Sequence, residues 1–246
     1  MENVIISRNV IKGCPYYLLY KDNYKGVTFV LHGLTGNHKD GLTSAYKLAL
    51  AGYLVVLPLA KWHGEERPDN FSYLFNGDNF LGSITKIMND YIISNITILN
   101  HLTIKHKLSK LKIGCVGFSM GAYVTYLLPL FDKRFKTIIP ISGSPYNYDQ
   151  NAIKHFNINN TKSTKEVRFQ AADKIESFID LNILIIHNKD DETVSYLGSE
   201  RFYNNLKPIM NNGEIKMILN QLGGHSYYSY FDKEVINWFD KHLYIV

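Results

Sequence analysis

Gly117-Phe118-Ser119-Met120-Gly121 decides how this chain is read. The run before it, Leu111-Lys112-Ile113-Gly114-Cys115-Val116, has the apolar character of a buried strand, and residues 122–130 after it have that of a helix. A serine at the apex of a strand–turn–helix passage sits on a strained backbone, with its hydroxyl exposed at the carboxyl end of a sheet. The two glycines have a steric purpose, since neighbouring elements crowd such a turn and a Cβ at either position would clash.

Working outward, residues 4–6 and 16–20 read as short strands joined through Gly13 and Pro15, an antiparallel edge. Residues 27–31 form a continuous apolar strand that ends at His32-Gly33, and residues 41–51 a helix stopped by Gly52. A strand at 53–57 is ended by Pro58, a polar loop fills 62–77, and residues 79–104 carry apolar side chains at helical spacing. Beyond the serine come strands at 137–141, 182–186 and 215–219, then a helix over 227–242 with Phe231, Val235, Trp238 and Phe239 on one face. Strands apolar throughout, alternating with helices, predict a doubly wound, mostly parallel sheet with helices on both faces. The chain is expected to form one α/β domain over residues 1–246. Residues 144–180 break the alternation. This stretch is polar, rich in Asn and Lys, and carries Tyr146, Tyr148, Phe156 and Phe169. Connections of that length inside a compact domain tend to be lids or binding segments, so a small cap insertion over the site is expected, with Tyr146, Tyr148 and Phe156 lining a substrate pocket and setting acyl preference.

The 246 residues are 46% hydrophobic and 20% charged, with formal net charge +5. The basic residues are scattered, and the densest group, Lys105, Lys107, Lys110 and Lys112, reads as a solvated helix end, so no nucleic-acid partner is expected. Two cysteines, Cys14 and Cys115, suggest neither a disulfide framework nor a metal-ligand pair. The opening residues lack a basic stretch followed by a long apolar run, and no run approaches the ~20 apolar residues of a membrane span. A cytoplasmic protein is expected, with no membrane partner; oligomeric state is left open.

A serine hydroxyl needs a base to take its proton and a carboxylate to orient that base. The strand at 182–186 runs into His187-Asn188-Lys189-Asp190-Asp191-Glu192-Thr193-Val194. Asp191 is the first choice for the acid, with Asp190 its rival and Glu192 third. The last strand runs into Leu222-Gly223-Gly224-His225, where the glycine pair lets the loop bend back and present the imidazole. The chain order is nucleophile Ser119, acid Asp191, base His225. At the end of the first central strand, the turn His32-Gly33-Leu34-Thr35-Gly36 can point an amide inward. The backbone N–H groups of Leu34 and Met120 are then the expected oxyanion hole, an effect of about 3 kcal/mol per donor. His32 is read as holding the loop, and Arg67 as pairing with Glu65, Glu66 or Asp69 in preference to meeting an anionic substrate.

With these residues assembled, the chain resembles the α/β-hydrolases, and within them the dienelactone hydrolase and prolyl-oligopeptidase-like branch that includes small bacterial carboxylesterases. The resemblance runs from Val27 to His242. Asp191 falls on the branch's His-Gly-x-x-Asp-x-x-Val-Pro pattern, read here as His187, Asn188, Asp191, Val194 and Ser195, with Asn188 in place of the glycine and Ser195 in place of the proline. His63-Gly64 is similar to a loop of the same branch that shapes the pocket rim. Dienelactone hydrolases proper use a cysteine nucleophile, and Ser119 argues against their reaction. The resemblance implies a serine hydrolase acting on small-molecule carboxylic esters through an acyl-enzyme, with no cofactor and no metal. Peptidase or acyl-aminoacyl hydrolase and thioesterase activities are the alternatives. A non-catalytic binding module is disfavoured because Ser119, Asp191 and His225 are all present.

Overall fold

The computed structural model describes residues 3–106, 108, 112–147, 150–158, 170–227 and 231–243. Strands β1 (Ile5–Ile11) and β2 (Cys14–Tyr20) form an antiparallel hairpin. Its turn residues Lys12 and Gly13 both have positive φ, 47° and 77°, as a two-residue hairpin turn of the favoured twist requires. β2 pairs antiparallel with β4 (Tyr53–Pro58). From there β3 (Gly26–Leu31), β5 (Ile113–Phe118), β6 (Phe135–Ile141), β7 (Asn182–Asn188) and β8 (Glu214–Asn220) are all parallel, giving one sheet in the order β1-β2-β4-β3-β5-β6-β7-β8.

The central strands read as unbroken apolar runs because both of their faces are covered. Alternate residues go to opposite sides. Leu54 and Val56 of β4 pack with α3 (Phe80–Lys105), α4 (Met120–Phe131) and α6 (Tyr196–Leu206). Tyr53, Val55 and Leu57 pack with α1 (Leu42–Leu50) and α7 (Phe231–His242). This is the α/β-hydrolase architecture. The 62–77 stretch is more structured than a polar loop: it holds a 3₁₀ turn, Gly64–Glu66, and a short helix α2 (Phe71–Leu74), with Phe71 and Phe75 buried. Arg67 lies over the Phe71 ring at 4.2 Å, and Glu65 pairs with Arg8 at 2.9 Å, so the Arg67–Glu65 pairing is not the one formed. Helix α6 had no clear sequence signal, because only Ser199, Phe202 and Leu206 on it are buried, a stripe too narrow to stand out. The 144–180 segment contributes a short helix α5 (Gln150–His155) and a 3₁₀ stretch, Ala171–Phe178. Tyr148 and Phe169 lie outside the described residues, as do Lys107 and Lys110.

The turn between β5 and α4 is the tightest point of the fold. Ser119 has φ 54° and ψ −116°, a region costly for any residue with a Cβ. A Cβ on Gly117 would stand 2.2 Å from the Gly121 carbonyl oxygen, and one on Gly121 2.4 Å from the Leu31 carbonyl oxygen. Both obstacles are backbone and cannot swing aside. Gly121→Ala is therefore expected to destabilise by about 3 kcal/mol or more. Gly82→Ala in α3, where nothing lies within 4 Å, should stabilise by about 0.5–1 kcal/mol through helix propensity. Urea unfolding of the two variants checks this contrast, and an equal effect at the two sites would contradict it.

Candidate active site

Three parts of the chain meet at the carboxyl ends of β5, β7 and β8. The Ser119 Oγ lies 2.8 Å from His225 Nε2, and His225 Nδ1 lies 2.8 Å from Asp191 Oδ2. A carboxylate only accepts, so Nδ1 carries the proton and Nε2 presents its lone pair to the serine hydroxyl. Asp191 is buried, at 3% exposure. Its second oxygen accepts from the amides of Thr193 (3.0 Å) and Val194 (2.8 Å). The His187 Nε2 lies 3.4 Å from Oδ2. Burial raises the Asp191 pKa, but hydrogen bonding from His187 and His225 and the Val194 amide outweigh it and hold the carboxyl well below its ordinary range.

Asp190, the rival for the acid, points elsewhere. Its carboxylate accepts from the amides of Gly223 (3.0 Å) and Gly224 (2.8 Å) and so fastens the loop that carries His225. Asn188, which departs from the branch's pattern, does the same from inside. Its side-chain amide donates to the Gly224 carbonyl (2.9 Å) and its oxygen accepts from Asn220 (3.0 Å). Neither fastening role has a local sequence signal, because both depend on β7 and β8 being neighbours. Gly223 has φ 151°, and a Cβ there would fall 2.6 Å from the Asn188 side chain. The Phe118 ring packs 5.0 Å from the His225 ring on its other side.

The His32 turn is pinned at several points. His32 is buried at 5% exposure, with Nδ1 2.8 Å from the Gly33 carbonyl and Nε2 accepting from the Ala60 amide at 3.1 Å. Burial lowers its pKa to about 3, against the opposing pull of the Gly33 hydrogen bond. The Gly33 carbonyl also accepts from the Gly36 amide at 3.1 Å. Leu34 and Met120 flank Ser119 in the wall of a cavity of about 140 Å³. Met120 opens α4, where a helix leaves its first amides without intrahelical acceptors.

Phe156 lines that cavity, together with Asn147, Ile153 and Ile158 of the same segment. Tyr146 does not. Its amide donates to Ser144 Oγ at 3.1 Å, and its ring turns toward α6, 5.2 Å from the Arg201 guanidinium. Much of the wall comes from a source not anticipated, helix α3, through Leu81, Ile84, Met88 and Ile92. The helical period of α3 was legible, but which of its apolar residues face a cavity and which face the sheet was not.

The fold is that of the α/β-hydrolases, and the class is that of serine hydrolases of the esterase and S9-peptidase type. Within it, the chain belongs to the prolyl oligopeptidase family, whose sequence model matches residues 75–245. It is similar to the Bacillus subtilis (strain 168) protein named "Putative esterase YitV", at 26% identity over 220 residues, 82% of this chain and 84% of that one. Many solved structures share the fold. TT1662 from Thermus thermophilus has a TM-score of 0.73 at 16% identity, covering 97% of this chain and 98% of its own. Esterase Pf2001 from Pyrococcus furiosus has 0.67 at 14% identity, covering 98% and 93%. Pyrococcus horikoshii acylaminoacyl peptidase has 0.74 at 15% identity, and there the whole of this chain matches 42% of the larger protein.

Two predictions follow from the geometry. Asp191→Asn should lower kcat by about 10⁴-fold, since an amide in its place favours the wrong imidazole tautomer. Asp190→Asn should cost no more than about tenfold, because the altered group only holds the loop. Steady-state kinetics on variants of matched circular dichroism measure both, and a larger loss at Asp190 would reverse the assignment. The second concerns acid. The folded state keeps His32 neutral where the unfolded chain, with an ordinary pKa of 6.5, binds a proton. The stability His32 permits is therefore full above pH 6.5 and falls toward pH 3, by about 1.4 kcal/mol per pH unit for this group. His32→Asn should be less stable than the parent at pH 7 yet lose less between pH 6.5 and 4.5. Urea midpoints at the two pH values test it, and parallel losses would refute it.

Proposed function

We propose that the protein hydrolyses carboxylic esters of small molecules through an acyl-enzyme intermediate. The observation that carries this is the continuous hydrogen-bonded line from Ser119 Oγ through His225 to Asp191, 2.8 Å at each step. Ser119 Oγ attacks the ester carbonyl carbon as its proton passes to His225 Nε2. The carbonyl oxygen becomes an oxyanion, stabilised by the amides of Leu34 and Met120. The bond to the alcohol oxygen then breaks as Nε2–H protonates the leaving alkoxide. A water, deprotonated by the same nitrogen, attacks the acyl-serine and releases the acid. Asp191 holds the imidazole in the productive tautomer and balances its charge while it is protonated.

The choice of ester over peptide rests on the cavity wall, where no charged residue occurs among the described lining residues. A site that grips a peptide by its amino terminus would present a carboxylate there. The name of the Bacillus subtilis relative supports the same reading. Among the described residues no helix is long and apolar enough to cross a membrane. Both cysteines are free thiols, which suits a reducing compartment, and the cytoplasm is the proposed location.

Ser119→Ala is expected to lower p-nitrophenyl ester hydrolysis by at least about 10³-fold with the fold retained, and to abolish labelling by a fluorophosphonate probe. More than a tenth of the parent activity in the folded variant would overturn the assignment. Faster turnover of an acyl-aminoacyl p-nitroanilide than of any ester would overturn the substrate class but not the nucleophile.

A further inference from the structure

The cavity beside Ser119 is walled largely by two helices. On α4 it is lined by Met120, Tyr123, Leu127 and Phe131, and on α3 by Leu81, Ile84, Met88 and Ile92. Each set recurs at i, i+3, i+7 and i+11, one continuous stripe along its helix. Eleven residues of helix span about 16 Å. Two apolar stripes of that length facing a shared space make a slot. Phe156 closes part of it by stacking on Phe80, with ring centroids 4.3 Å apart. The polar side chains in the wall are few. One of them, Thr85, has its hydroxyl committed to the Leu81 carbonyl at 2.7 Å.

We infer that this slot between α3 and α4 holds the acyl group of the substrate, an unbranched aliphatic chain of medium length. The inference rests on the ester reading above and adds both the side of the ester bond and the chemistry of the group. Ser119, Leu34 and Met120 line the slot, whereas His225 does not. The leaving alcohol must reach His225 Nε2 to be protonated, so it departs on the histidine side. What stays bonded to Ser119, the acyl group, is what the slot receives. Its size sets the chain. Its volume of about 140 Å³ is close to that of the engineered apolar cavity of about 150 Å³ that holds a benzene ring, which corresponds to about six carbons. A space of that volume drawn out over the length of the two stripes is narrow, and this favours a straight chain over a branched one. At the far end Phe131 is 56% exposed, so carbons beyond that volume emerge toward water and gain little.

The test is a set of chain-length profiles on the intact protein. Across p-nitrophenyl esters from acetate to dodecanoate, kcat/KM should rise by up to about fourfold per methylene, the 0.8 kcal/mol of a buried CH₂, and level off at six to eight acyl carbons. Across alkyl acetates of growing alcohol, from ethyl to octyl, it should stay flat within about threefold. Leu127→Trp on one wall and Ile84→Trp on the other should each reduce the octanoate-to-acetate ratio of kcat/KM at least tenfold. Should either variant fail to fold, the parent profiles still decide. Measurable ester turnover with a flat acyl profile would overturn the slot and leave the ester reading standing. A rise with alcohol length in place of acyl length would overturn the orientation. No turnover of any ester would refute the ester reading and the slot with it.

Discussion

The structure depends on a place where there is no room. At the end of β5 the chain must reverse into α4 while lying against the end of β3, and backbone meets backbone there. With Gly117 and Gly121 the turn closes to contact distance, while a Cβ at either would overlap a carbonyl by an ångström or so. Ser119 is then held at positive φ. Its amide donates to the Ile141 carbonyl at 2.9 Å, tying the turn to the neighbouring strand β6. The strain at one residue is supported by the whole sheet, since β3, β5 and β6 are all fixed by their own ladders. The hydroxyl cannot relax into a hydrogen bond with its own helix, and it faces the histidine.

The other two members of the hydrogen-bonded line are held by different means. Asp191 is a buried carboxylate, a costly group unless its oxygens are saturated. It accepts from two amides and from His225, with His187 Nε2 close by at 3.4 Å while bonded to the Val194 carbonyl, and this surrounding both offsets its burial and aims Oδ2 at His225. His225 stands on a loop, and loops need fastening. Asp190 and Asn188 hold its front end through the amides of Gly223 and Gly224 and the Gly224 carbonyl. Behind it, Tyr227 donates to Asp232, which also accepts from Ser44 and Lys47 of α1. The imidazole is thus positioned by contacts from both faces of the sheet.

Substrate choice comes from another layer. The proposed chemistry of the elbow and the hydrogen-bonded line does not by itself select one acyl bond over another, and the solved structures that share the fold include both an esterase and an acylaminoacyl peptidase. On the proposed function, discrimination falls to the wall that α3, α4 and residues of the 144–180 segment build around Ser119. In that wall the apolar residues outnumber the polar ones, and among the described lining residues none is charged.

Much of this was legible in the linear order of residues. All eight strands lie where apolar runs predicted them, though β1 extends to Ile11, further than its three-residue signal at 4–6. Gly-x-Ser-x-Gly after a strand is a local statement, because the steric demand of that turn is met or not met by the five residues themselves. The order Ser119, Asp191, His225 could likewise be read from strand ends. The strand end alone did not separate Asp191 from Asp190, and Asp191 was preferred for its place in the branch's pattern; in the structure the two adjacent carboxylates differ in direction, which is set by the Thr193 and Val194 amides on one side and the Gly223–Gly224 loop on the other. Tyr146 was expected in the pocket on its aromatic character, but its ring turns to Arg201, a contact made only once α6 is docked. The α3 wall was hidden for the same reason. Helical periodicity tells which residues are apolar, but whether they meet a sheet or an empty slot depends on what packs opposite. The sequence by itself determined the fold and the sharp turn that presents Ser119, whose constraints act between near neighbours in the chain. Tertiary structure decided which carboxylate meets His225, how the His225 loop is fastened and the shape of the pocket, because those rest on groups that become neighbours only when the sheet has assembled.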